Sequence, residues 1–113
     1  MADEALSLRL EKYEGPLDLL LRLIEKNKIN IYDIPIAEIT EQYMAYLSGM
    51  EREDLDQLSE FLLMAATLLD IKARMLLPRE VDQETGEEVD PRAELVNRLL
   101  EHKKYKLMAE ELA

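Results

Sequence analysis

The chain has 113 residues, 48% of them apolar and 35% charged, with a net charge of −11. That composition predicts a helix-rich domain with an appendage and excludes disorder throughout. The absence of cysteine excludes a disulfide framework and a thiolate zinc site and points to a reducing, cytoplasmic setting. The acidic balance, with no Lys/Arg stripe, argues against direct nucleic-acid contact.

The N-terminus MADEALSLRL is acidic where a secretory signal would be basic and then apolar, and no apolar run is long enough to span a bilayer, so neither export nor membrane insertion is expected. Residues 6–12 alternate Leu6, Leu8 and Leu10 with Ser7, Arg9 and Glu11, a strand period. A lone strand needs a partner edge, either Ile29–Ile31 or another protein.

Gly15, Pro16 and Asp18 open a helix whose face carries Leu17, Leu20, Leu21 and Ile24. Asp33 and Pro35 open a second, with Ile36, Ile39, Tyr43, Tyr46 and Leu47 running to a stop at Ser48 and Gly49. The stretch from Asp54, its expected cap, to Leu77, before Pro78, reads as one helix roughly 36 Å long. It bears two apolar stripes. One holds Leu55, Leu58, Leu62, Ala65, Leu69 and Leu76; the other holds Phe61, Met64, Leu68, Ile71 and Met75. Together they cover about half the cylinder, where a surface helix needs an arc of roughly 100°. Two stripes imply two neighbours, one of which can belong to another chain.

Residues 79–90, REVDQETGEEVD, carry six carboxylates and only two valines, so they are expected to be a linker unable to order itself by burial. Residues 91–113 follow as a helix with a divided apolar face: Leu95, Val96, Leu99, Leu100 and Leu107 on one side, Tyr105, Met108 and Leu112 on another. Whether it docks is left open. No helix stop precedes Ala113, so a piece of a longer protein is expected. The fold class is therefore mainly α: three core helices in residues 1–78, with room for a short N-terminal β-strand, then the acidic linker 79–90 and the C-terminal helix 91–113.

Catalytic chemistry is not expected. The spacings HExxH, GxSxG, GxxxxGK and the EF-hand loop do not occur, so no catalytic, metal or cofactor residue is assigned. His102, the single histidine, reads as solvated among Glu101, Lys103 and Lys104. Asp70 and Arg74, four apart, read as a surface pair. Lys72 falls in the apolar arc, either snorkelling or meeting a partner's carboxylate.

The segments YEGPLDLLLRLIEKNKINIYDIPIAEITEQY (13–43) and SEFLLMAATLLDIKARMLLP (59–78) resemble the N-terminal domain of segregation and condensation protein A, the bacterial kleisin family. The resemblance implies a non-enzymatic adaptor, cytoplasmic and associated with the nucleoid. In that family this domain binds the coiled-coil neck of a structural-maintenance-of-chromosomes ATPase, the central segment binds segregation and condensation protein B, and a winged helix, missing here, closes a condensin ring in chromosome partition. On this reading Phe61, Met64, Leu68, Ile71, Lys72 and Met75 face the partner, while Leu55, Leu58, Leu62 and Leu69 face the core. The alternatives are a homo-oligomerisation module using the same surface, with self-association when isolated, and, more weakly, a carboxylate hydrolase.

Overall fold

A computed structural model describes residues 13–50 and 55–112. Among these lie four helices: α1 Pro16–Lys26, α2 Ile36–Ser48, α3 Leu55–Met75 and α4 Ala93–Leu112. The mainly α reading holds. The expected strand at 6–12 and the expected cap Asp54 lie outside the described residues, as does the Leu55 side chain.

Helix α1 begins as its sequence dictates, with Pro16 in the first turn, where its missing N–H costs nothing. Asp18 accepts a hydrogen bond from the Glu14 N–H at 3.2 Å. Its end is a Schellman motif: Lys28 takes a left-handed φ of 54°, the Lys28 N–H donates to Glu25 O and the Ile29 N–H to Ile24 O. Asn27 and Gln42 then exchange amide hydrogen bonds at 2.8 and 3.0 Å, tying this corner to α2.

Helix α1 touches all three other helices, and α3 packs most extensively on α2. The core between them is made of Leu19, Leu20 and Leu23 from α1, Ile36, Ile39 and Tyr43 from α2, and Phe61, Met64, Leu68 and Ile71 from α3. Tyr43 is fully buried and its hydroxyl donates to the Phe61 carbonyl at 2.7 Å. Burial pushes that phenol well above the ordinary tyrosine range. Arg79 closes the far end of α3, its guanidinium donating to the carbonyls of Met75 and Leu77 at 3.2 Å each, where a cation suits the helix dipole.

The acidic segment 79–90 is almost wholly exposed, and it folds back on itself by local hydrogen bonding in place of burial. Asp82 Oδ1 accepts from the N–H groups of Glu84 and Thr85, an Asx turn. Gly86 supplies the positive φ of 73°. Val81 and Glu88 bridge antiparallel, flanked by Val89 N–H to Glu80 O and Asp82 N–H to Glu87 O, both 2.8 Å. The hairpin delivers the chain to α4, which docks on α1 and buries Leu95 and Leu99 in the common core.

Candidate partner-binding surface

At 100° per residue, Phe61, Met64, Leu68 and Ile71 share one face of α3, and this is the face that is buried, at 6% exposure or less. The sequence reading had given these residues to a partner and Leu62 and Leu69 to the core. The structure turns Phe61, Met64, Leu68 and Ile71 inward and leaves Leu62 and Leu69 about half exposed, while Ala65 of the latter stripe is also buried. Phe61 packs near Tyr43 and Tyr46, with ring centroids 6.4 and 6.2 Å away, and a bulky ring with two aromatic neighbours is held by its own domain. Met75 is half-buried against the same core, and Lys72 is exposed, outside it. Leu58 is half-buried.

What remains outside is a second apolar face. Leu62, Leu69 and Leu76 are 51%, 48% and 83% exposed, and Ala66 and Ala73 between them are also exposed. The positions 62, 66, 69, 73 and 76 alternate steps of four and three, a 3.5-residue period with leucine and alanine in turn. They fit an arc of about 80°, the narrow seam of a coiled coil. Leu63 and Leu77 widen it on the Asp70 side, both exposed. Asp70 and Arg74 form the expected pair along this helix at 3.2 Å, solvated on both sides and worth a few tenths of a kcal/mol. Ala66 and Ala73 belong to neither stripe expected from the sequence; their alternation with leucine was the available signal.

Helix α4 is held to the opposite side of the domain by two cationic contacts. Arg92, 16% exposed, reaches Asp33 Oδ1 at 2.9 Å and the Ile34 carbonyl at 2.8 Å while bonding both oxygens of Asp90. Its hydrogen bond holds the Asp90 carboxyl below the usual range. Lys106 pairs with the largely buried Asp18, and that hydrogen bond pushes its ammonium above the ordinary lysine value. His102 is half-buried, in place of the solvated position expected, with its ring 6.4 Å from Tyr105. Its Nε2 is buried without a hydrogen-bond partner. None of the helices α1, α2 or α4 covers the α3 seam.

Among the described residues no helix is long and apolar enough to cross a membrane. The sequence profile of the family described as Segregation and condensation protein ScpA matches residues 23–113. Segregation and condensation protein A of Brevibacillus brevis is 54% identical over 116 residues, covering 96% of this chain and 45% of the relative. The protein of the same name from Halalkalibacterium halodurans is 56% identical over 110 residues, 94% of this chain and 42% of the relative. That of Bacillus subtilis is 51% identical over 113 residues, 96% and 45%. The chain thus spans less than half the length of these relatives.

Proposed function

The chain belongs to the segregation and condensation protein A family, and from that premise we propose that it is a non-enzymatic adaptor in chromosome segregation and condensation. It binds the coiled-coil neck of a structural-maintenance-of-chromosomes ATPase through the outer face of α3, with Leu62, Leu69 and Leu76 as knobs and Ala66 and Ala73 admitting the partner helix closely. The observation that supports this reading is the exposed 3.5-period seam on a helix whose other face is already satisfied. A monomeric domain has no internal use for a coiled-coil period facing water, and contiguous apolar surface of this kind marks an interaction site. Protein B binding belongs to the family's central segment, which residues 91–113 would begin, and ring closure needs the parts of the longer relatives that this chain does not span.

The test is titration with an ATPase head carrying a short piece of its neck, read by mass and by amide exchange. One-to-one binding with slowed exchange across residues 62–76 is expected. Leu69→Glu should retain the helical spectrum and lose binding. If the chain instead forms a dimer through 62–76 and ignores the neck, the surface is a homo-oligomerisation face and the adaptor reading fails.

A further inference from the structure

Round α3 from the exposed seam, on the Asp70 side, lies a slot of about 540 Å³ closed off by the start of α1 and by α4. It adjoins the seam: at 100° per residue Leu63 stands about 60° past Ala66, and Thr67 and Glu60 follow within about another 60°. Leu63 is 71% exposed and forms the lip shared by the two surfaces. Behind it Leu17 and Met64 make an apolar wall, and Thr67 spends its hydroxyl on the Leu63 carbonyl at 3.1 Å. The charges of the slot do not balance. Asp18 is satisfied from within, by Lys106 and by the Glu14 N–H. Glu14 and Glu60 line the mouth, both exposed, and Oε2 of Glu60 reaches across to α1, 3.9 Å from where a Cβ on Gly15 would stand. Facing them are Arg98 and the His102 ring of α4. Among the described residues neither carboxylate nor Arg98 makes an ion pair. Two carboxylates against one guanidinium leave the mouth short of a cation, and the −11 charge of the chain adds to the same field.

We propose that the helix docking on the α3 seam lays a lysine or arginine over Leu63 into this slot, its methylene stem along Leu17, Leu63 and Met64 and its cationic head between Glu14 and Glu60. The inference rests on the adaptor reading and names a side chain that the partner must carry. Helices of a coiled coil flank their apolar seam with long charged side chains. The slot suits both parts of such a chain, the apolar stem and the charged tip. A carboxylate in the same place would meet two like charges, with Arg98 alone to pair it.

Titration of the full chain with an ATPase head carrying a short piece of its neck, repeated across a range of salt, tests this. Glu14→Gln with Glu60→Gln should weaken binding about three- to tenfold at low salt, and the deficit should shrink as added salt screens the parent's contact. A control of equal net charge, Glu87→Gln with Glu111→Gln outside the slot, should bind nearly as the parent does. Arg98→Gln removes the competing cation and should tighten binding about twofold. All of these side chains are exposed, so the variants should melt as the parent does. Opposite signs, with Arg98→Gln weakening and the Glu14, Glu60 variant tightening, mean that a carboxylate fills the slot, and overturn the proposal. Parent-like affinity in both at every salt concentration overturns it too, as does a control that weakens equally. Leu69→Glu separates the two levels: if it abolishes binding while the slot variants change nothing, the seam stands and the slot falls. If the parent itself ignores the neck, the adaptor reading falls and the slot with it.

Discussion

Adjacent leucines on α3 provide the sharpest test of which stripe faces inward. Leu68 is 0% exposed and Leu69 48%, yet they are chemically identical and one residue apart. Truncating Leu68 to alanine removes three buried carbons and leaves a cavity in the common core, a loss of about 3 kcal/mol in the middle of the observed range for such changes. Truncating Leu69 removes groups already half in water. At about 0.8 kcal/mol per buried carbon, half of three carbons comes to roughly 1 kcal/mol, with no cavity to add. In urea, with a slope of about 1–1.5 kcal/mol/M for a domain of this size, the unfolding midpoint should fall by about 2–3 M for Leu68→Ala and by under about 1 M for Leu69→Ala. The ranking should invert in neck binding. Leu69→Ala should weaken it about tenfold, as expected for a central interface contact, whereas the folded fraction of Leu68→Ala should bind as the parent does. Equal midpoint shifts for the two variants, or neck binding that ignores Leu69, would refute this assignment of Leu68 and Leu69.

Arg92→Ala should release the start of α4, because it leaves Asp33 and the Ile34 carbonyl without the guanidinium that bridges them; a loss of about 1–2 kcal/mol is expected, with faster amide exchange in residues 93–99 and little change in α2. The raised Lys106 pKa fixes the sign of a pH effect: the pair with Asp18 contributes fully below the unfolded lysine value, about 10.4, and its contribution is lost as pH rises through the higher folded value. Lys106→Met should therefore remove part of the alkaline loss of stability seen in the parent, measured by thermal melts between neutral pH and the lysine range; identical pH profiles would show that the pair contributes nothing.

The sequence disclosed α1 and α2 well, because their start and stop signals are local: Pro16 with Asp18, and Ser48 with Gly49. It placed the end of α3 ahead of Pro78 for the same reason. It did not disclose which stripe of α3 turns inward, since both are equally apolar and hydrophobicity alone is symmetric between them. Shape breaks the symmetry. Phe61 needs the aromatic neighbours Tyr43 and Tyr46, supplied from a helix some fifteen residues upstream, and alternating Leu and Ala suits a seam more than a core. The docking of α4 was illegible for a different reason: it depends on Arg92 meeting Asp33 and Lys106 meeting Asp18, pairs 59 and 88 residues apart along the chain. The hairpin in 79–90 was hidden because the reading weighed burial, whereas Asp82, Thr85 and Gly86 shape it by hydrogen bonds and one positive φ.

The alternation of leucine with alanine from 62 to 76 also acts as a ruler. Because every seventh position is equivalent, a helix engaging this seam has no continuum of heights to choose from; the next register lies a whole heptad away, about 10 Å along the axis. An intermediate offset would bring Asp70, Lys72 or Arg74 against the partner's apolar seam. The small alanines then set the lateral spacing, toward the short end of the 8–10 Å usual for packed helices. On the proposed reading attachment is thereby digitised: a variant that shifts the seam should jump to the next register or let go, with no gradual slide between them.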